Sequence, residues 1–541
     1  MHNARLWWME RVEDQPMQEN ATAATEVGFA RGVEPSGVPN LDLVMGGGLP
    51  RGRLMLIMGP PGSGKTTLAS QIAFDAARSG KSVLILTALS ESTSKLVEHL
   101  SAFSFFDHEL IGGAVQFLSL QHVMSDGFVA IRDEVLRMAR QMKAEVLVID
   151  GVRSLRDAEQ NPPGARQFLH DVGTALGTLG TLTIVTSEAE PRDPQLNPEA
   201  TTADIILGLH YGLHGGRQRR ALEVIKARGV APLPGIHTLT LTSDGAHIFP
   251  QFEERVAAAM RDGAPAGDIA ESDGRPRSRA KQGSPVEVPL ERAGFDLPEM
   301  DRLLEGGFAR GTSAVVAGSL GTGKTLFALQ FALAGIRAGE PVIYLSFRES
   351  QRDLLRIAAP FALGGTLASA LAAEHGLSLL WVPPIQVEPD VVADRLLTLL
   401  DRSGARRLVV DSIDELTRAL ARGSYPERLD EYLAALVQAC RARGVTMLLI
   451  KETTKGNAET LDFSAGPLSV VAENVLLLRQ VTHRARQHHV LSVLKMRYSA
   501  SDATLCEFAI VPPDGIRVLG PLEATVERAP SARRGHGASG T

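Results

Sequence analysis

Two eight-residue stretches set a lysine and a hydroxyl behind spaced glycines. They are Gly59-Pro60-Pro61-Gly62-Ser63-Gly64-Lys65-Thr66 and Gly318-Ser319-Leu320-Gly321-Thr322-Gly323-Lys324-Thr325. Both fit the pattern G-x-x-x-x-G-K-[ST], each after a short apolar run and before a helix-like stretch. Glycines let backbone N–H groups turn inward around a phosphate, the ammonium neutralises terminal phosphate charge, and the threonine hydroxyl reaches Mg²⁺. A helix starting at the lysine adds its own partial positive charge. The nucleotide-binding set expected on this chemistry is Gly59, Gly62, Ser63, Gly64, Lys65, Thr66 and Thr67, and again Gly318, Gly321, Thr322, Gly323, Lys324, Thr325 and Leu326. ATP and Mg²⁺ are the implied cofactors.

Further pairs of charged residues recur with the loops. The apolar run Val146-Leu147-Val148-Ile149 ends in Asp150, and Leu408-Val409-Val410 ends in Asp411. A carboxylate at a strand end beside a phosphate loop can hold a water of a bound Mg²⁺, so Thr66, Asp150, Thr325 and Asp411 form the metal set. Lys226 and Arg228 alternate along one strand, as do Lys495 and Arg497, so each pair points to one side. The approach to each loop also repeats, with Gly46-Gly47-Gly48-Leu49-Pro50-Arg51-Gly52 paralleled by Gly306-Gly307-Phe308-Ala309-Arg310-Gly311. All four features recur at an offset of about 260 residues, the mark of a duplicated domain.

Positioning these groups requires alternating strands and helices. Apolar runs at Leu54–Met58, Val83–Thr87, Val115–Leu120, Val146–Ile149 and Leu182–Thr186 are separated by helical patterns. The second half repeats the series at Ala314–Ala317, Val342–Ser346, Leu377–Val382, Leu408–Val410 and Thr446–Ile450. Such alternation predicts an α/β fold with a mainly parallel sheet covered by helices. Closely spaced runs near each end (Ala221–Ile225 and Thr238–Leu241; Val490–Leu494 and Cys506–Ile510) predict antiparallel additions to each sheet. A chain of 541 residues exceeds one core. The organisation expected is a leader over 1–32, a first domain over 33–250, a flexible linker over 251–286, a second domain over 287–521 and a disordered tail over 522–541. The linker rests on Gly263 to Pro285, poor in large apolar residues and rich in Gly, Pro, Ser, Asp and Arg. Two cysteines, Cys440 and Cys506, offer neither a disulfide framework nor a zinc motif. No apolar run reaches membrane-spanning length, and a cytoplasmic setting is expected.

Taken together, the Gly-Gly approach, the phosphate loop, the strand-end aspartate and the Lys-x-Arg pair resemble the KaiC-like branch of the RecA-type ATPases. The resemblance covers both halves, roughly 33–249 and 287–519. It implies two tandem RecA-like P-loop NTPase domains, a homohexameric ring and nucleotide held between neighbouring subunits. It also implies that Lys226, Arg228, Lys495 and Arg497 reach the γ-phosphate of a neighbour's nucleotide, an arginine finger supplied in trans. Family members carry adjacent glutamates after the second strand, the first near the attacking water. Here those segments read Ser90-Glu91 and Arg348-Glu349. A hydroxyl or a guanidinium is no general base at neutral pH, so Glu91 and Glu349 are the carboxylates left and slow hydrolysis is expected. Family autokinases carry adjacent Ser and Thr near the second domain's interface. Ser469, a candidate phosphosite, is followed here by Val470.

The function expected is a nucleotide-dependent regulatory or signalling ring with a protein partner. A DNA-acting ATPase and a nucleotide-locked scaffold without turnover are the alternatives. DNA action needs a basic pore loop. The loop after the fifth strand of the first half sets Arg192 against Glu188, Glu190, Asp193 and Glu199. Net charge is -6 and aromatic content 5%, so neither an electrostatic funnel nor a stacking platform for nucleic acid is expected.

Overall fold

The computed structural model describes residues 32–87, 93–119, 127–151, 162–192, 198–214, 216–263, 290–373, 376–385, 387–423, 425–453, 471–483, 486–499 and 504–522. The chain falls into two compact units that divide between Pro250 and Gln251.

The first unit is built on a nine-stranded sheet. Its strands are β1 (Leu54–Met58), β2 (Val83–Thr87), β3 (Val115–Ser119), β4 (Val146–Asp150), β5 (Leu182–Ser187), β6 (Ile205–His214), β7 (Arg217–Ala227), β8 (Ile236–Thr242) and β9 (Gly245–Phe249). They lie in the order β3-β2-β4-β5-β1-β6-β7-β8-β9. Pairing is parallel from β3 through to β6, and β8 pairs antiparallel with β7 and with β9. The phosphate-loop strand β1 therefore sits in the middle of the sheet. All five of its residues are buried, which is why it reads as an unbroken apolar run. Leu54, Leu56 and Met58 enter the core on one face, while Met55 and Ile57 enter the core on the other. Each such side chain contributes roughly 1.5–3 kcal/mol on burial.

The second unit repeats this plan. Its strands are β10 (Ser313–Gly318), β11 (Val342–Ser346), β12 (Leu377–Trp381), β13 (Arg407–Asp411), β14 (Thr446–Glu452), β15 (Asn474–His483), β16 (Arg486–Lys495), β17 (Cys506–Val511) and β18 (Gly515–Pro521). The order β12-β11-β13-β14-β10-β15-β16-β17-β18 matches the first sheet strand for strand. Again the sheet is parallel as far as β15 and antiparallel beyond it. The fold is thus the expected pair of mainly parallel sheets with antiparallel ends. The strands β6, β9, β15 and β18 lie outside the runs singled out in the sequence. Gly208 and Gly212 interrupt β6, and Gly520 lies in β18.

One expectation needs correction. The composition predicts a flexible linker from 251, yet Phe252–Gly263 is an α-helix of the second unit. Phe252 and Val256, four residues apart on one helix face, enter that unit's core, with Phe252 against Tyr432 at 5.0 Å between ring centroids. The polar face is fixed as well. Arg428 is bonded to Glu253 and to Asp390, and Arg255 reaches Asp394 at 2.6 Å. Burial thus overrides the polar composition further along. Residues 264–289, with the rest of the expected linker, lie outside the described residues, as do the expected leader up to residue 31 and the tail from 523.

Candidate functional site: two phosphate loops and a remote Lys-x-Arg pair

Each phosphate loop runs from a central strand into a long helix, Lys65–Arg78 in the first unit and Lys324–Arg337 in the second. The N-cap residues are Gly64 and Gly323, at φ 102° and 86°. The positive φ is what favours glycine at both; a Cβ on Gly323 would also meet the Ile510 side-chain tip at 2.6 Å, a contact that a small shift of that side chain relieves. Neither helix has a side-chain N-cap, and neither has an acidic residue in its first turn. First-turn N–H groups without such a cap are well matched to phosphate oxygens. Ser63 Oγ adds a buried hydroxyl with no partner among the described residues. Thr67 and Leu326 are buried one position beyond the threonine hydroxyls.

The lysines fold over their own loops. Lys65 Nζ donates to Gly59 O at 2.9 Å and Pro60 O at 3.0 Å, and Lys324 Nζ donates to Ser319 O at 2.7 Å. Burial pulls both ammonium pKa values below the usual lysine value. Glu188 and Asp150 oppose this at Lys65, and Glu452, Asp411 and Asp414 oppose it at Lys324. Each charge is therefore held in a partly dry setting where a phosphate is strongly attracted.

The strand-end aspartates meet the loop threonines. Thr66 Oγ1 donates to Asp150 at 3.1–3.2 Å, and Thr186 donates to the same carboxylate at 2.5 Å. In the second unit Asp411 accepts from Thr325 and from the Tyr344 hydroxyl, the latter at 2.9 Å. Burial pushes the Asp411 carboxyl above the usual range, an effect that these hydrogen bonds oppose. One hydroxyl and one carboxylate fit Mg²⁺, which keeps several waters and takes its remaining ligands from a nucleotide's phosphates. No cluster of three or more His, Cys, Asp or Glu able to hold a metal occurs among the described residues, so no all-protein cage competes with this arrangement. Thr186 and Tyr344 were missed in the sequence because each reaches its aspartate from another strand.

The residues after the second strand divide. Ser90 and Glu91 lie outside the described residues, and so does Ser469. Glu349 follows β11 and stands near Asp411. Burial raises its carboxyl pKa, and the Asp411 charge raises it further. Arg348 stands where the resemblance places a glutamate, but it is not a free cation. Its Nε donates to Glu415 at 3.1 Å and its NH2 stands 3.2 Å from Glu452, so two carboxylates already neutralise it.

The Lys-x-Arg pairs lie at the far end of each sheet from their own loops. Lys495 is opposite Val475, which is opposite Val315, three residues before the loop glycine Gly318. Three residues along the strand and two strands across place Gly318 and Lys495 on the order of 14 Å apart between Cα positions. Both lysines are anchored at this end, Lys226 to Ala203 O at 2.6 Å and Lys495 to Ala472 O at 2.8 Å. Arg228 pairs with Asp204 at 3.4 Å and Arg497 with Glu473, while both guanidinium groups remain substantially exposed. No helix among the described residues is long and apolar enough to cross a membrane.

Comparison with known proteins agrees with this geometry. A family model described as ATPase: KaiC matches residues 34–253 and again 295–523. The circadian clock oscillator protein KaiC of Picosynechococcus sp. is 23% identical over 504 residues, 91% of this chain and 91% of that protein. The circadian clock oscillator protein KaiC 1 of Synechocystis sp. is 24% identical over 484 residues, 87% of this chain and 86% of that protein. From the same organism, the circadian clock protein KaiC3 is 24% identical over 494 residues, 88% of this chain and 89% of that protein. With both copies of the domain matched over most of its length, the chain belongs to the KaiC ATPase family.

Proposed function

We propose that this chain is an ATPase that binds ATP–Mg²⁺ in both units, assembles into a homohexameric ring through those nucleotides, and hydrolyses ATP slowly. Its nucleotide state then sets its affinity for a regulatory protein partner. One observation carries the reading: in both units the Lys-x-Arg pair is anchored at the opposite end of the sheet from its own phosphate loop. A cation pair so placed cannot serve the nucleotide of its own unit, but it can serve that of a neighbouring copy.

In this reading Lys65 and Lys324 bind the terminal phosphates. Thr66 with Asp150, and Thr325 with Asp411, hold the metal, which neutralises phosphate charge when bound. Glu349 stands on the metal side of the second site, and Glu91 is its counterpart in the first. Lys226, Arg228, Lys495 and Arg497 act across the subunit boundary. Slow turnover follows from the loss of the carboxylate at Ser90 and Arg348, because a general base contributes about 10²–10⁴-fold in rate. A two-site autokinase cycle is not part of the proposal, since Val470 follows Ser469. A cytoplasmic location and the absence of nucleic-acid action remain part of it, on charge and composition. Size-exclusion chromatography with light scattering, with and without ATP–Mg²⁺, tests the proposal when phosphate release is measured on the same samples. Assembly to about six subunits with measurable release supports it. A chain that stays monomeric at saturating ATP–Mg²⁺ overturns it.

A further inference from the structure

In the second unit β14 brings an acidic residue to the start of the phosphate loop. Strand register places Glu452 opposite Gly318, the first glycine of the loop, and Thr453 N donates to Gly318 O at 3.0 Å. The equivalent residue in the first unit is Glu188, one past the Met58–Ser187 pair and so opposite Gly59. Each is the foremost carboxylate acting on its loop lysine, Glu188 on Lys65 and Glu452 on Lys324. The two units thus share a carboxylate at the loop that does not depend on the altered β2 and β11 segments.

The orientation of Glu452 is fixed by its neighbours. The sheet order β11-β13-β14-β10 puts Arg348, after β11, two strands away from Glu452. Arg348 crosses over the end of β13 to reach it at 3.2 Å, and the same guanidinium is tied at 3.1 Å to Glu415, in the helix Ile413–Ala421. Glu415 is also held by Arg418 at 2.7 Å. The Glu452 backbone N–H donates to Asp414 at 2.7 Å, which fixes the strand tip beneath the side chain. The carboxylate is thereby suspended at the carboxyl ends of the parallel strands, where ligands of such sheets bind. It remains 26% exposed, so water can reach it.

We propose that Glu452 orients the attacking water of the second site and takes its proton, with Glu188 in the same role in the first. This rests on the ATPase reading above. The step is a plain hydrolysis. The water oxygen forms a bond to the γ-phosphorus, and the bond from that phosphorus to the β,γ-bridging oxygen breaks, its electron pair leaving with ADP. The water proton passes to a Glu452 carboxylate oxygen and then to solvent. Arg348 holds Glu452 in place through a direct ion pair, so the attacking water must share the carboxylate with that guanidinium.

The test uses the full chain carrying Lys65→Ala, which leaves the second site as the source of phosphate release. Glu452→Gln in that chain is expected to lower single-turnover phosphate release about 10²-fold. Second-site ATP occupancy and ATP-dependent assembly should stay within about threefold of the parent, by order-of-magnitude tolerance. Glu452→Asp, which keeps the proton acceptor on a shorter arm, should retain more activity than Glu452→Gln. Release from Glu452→Gln within threefold of the parent overturns the proposal, and so does loss of ATP occupancy in both variants, which would make the residue a binding element. A Lys65→Ala parent that binds ATP but releases no phosphate overturns the ATPase reading of the second site itself, and this inference with it.

Discussion

Replacing Arg228 by alanine separates a role within the chain from a role between chains. In the isolated unit Arg228 pairs with Asp204 at 3.4 Å, with the arginine side chain 59% exposed and the aspartate 20%. Exposed pairs of this kind contribute about 0.2–1 kcal/mol, and Asp204 keeps its bond from Leu54 N and its pairing with Arg53. Unfolding stability should therefore fall by less than about 1 kcal/mol. At an interface the same guanidinium would exchange Asp204 for a neighbour's phosphate, and a hydrogen bond to a charged group contributes roughly 1.5–3 kcal/mol. The net loss per interface is then about 1–2 kcal/mol, or roughly 5–30-fold in the ATP concentration that half-assembles the ring. Light scattering across an ATP titration reads the shift, and urea unfolding of the nucleotide-free chain reads the stability. An unchanged assembly midpoint combined with a stability loss above about 2 kcal/mol would refute the reasoning, because Arg228 would then be serving its own fold.

Wild-type chain should bind two ATP per chain in equilibrium dialysis, and Lys65→Ala and Lys324→Ala one each; a wild-type value of one removes the two-site reading. Gly323→Ala should weaken second-site binding, because it strains a positive-φ N-cap within the loop, while the Ile510 methyl 2.6 Å from the new Cβ can move aside. By contrast Gly339→Ala, also at positive φ but with open space, should cost only about 1 kcal/mol of stability and spare binding. Arg428→Ala leaves the buried Glu253 and Asp390 without their cation and should destabilise the second unit by about 3–5 kcal/mol in urea unfolding; a loss below 1 kcal/mol would mean that the helix Phe252–Gly263 is not held by this cluster.

What the sequence made legible follows from local physics. The loops could be read because glycine spacing, lysine and threonine are all required within eight residues. Asp150 and Asp411 could be read because each closes an apolar run. The buried parallel strands were readable for the same reason, being apolar on both faces. The helix Phe252–Gly263 was not, because its two core residues precede a long polar stretch that dominates the composition. Its partners Asp390 and Arg428 lie far along the chain. The surroundings of the aspartates were hidden for a related reason. Tyr344 reaches Asp411 from β11, and Arg348 meets Glu452 across the end of β13, so both contacts depend on a strand order that differs from chain order. Repetition concealed a difference too: the duplicated aspartates share a threonine partner, yet one is completed by Thr186 and the other by Tyr344.

In the proposed ring each nucleotide is held by a loop lysine from one subunit and a Lys-x-Arg pair from the next. Mixing subunits tests it most directly. In a chain already carrying Glu452→Gln, which is expected to slow second-site release while keeping second-site ATP and therefore assembly, Lys65→Ala subunits and Arg228→Ala subunits should each lack first-site release alone. Mixed rings, verified by mass, contain interfaces in which an intact Lys65 faces an intact Arg228, and phosphate release should recover in part. No recovery in verified mixed rings would contradict the account, because it would place the lysine and the arginine in service of the same chain's nucleotide.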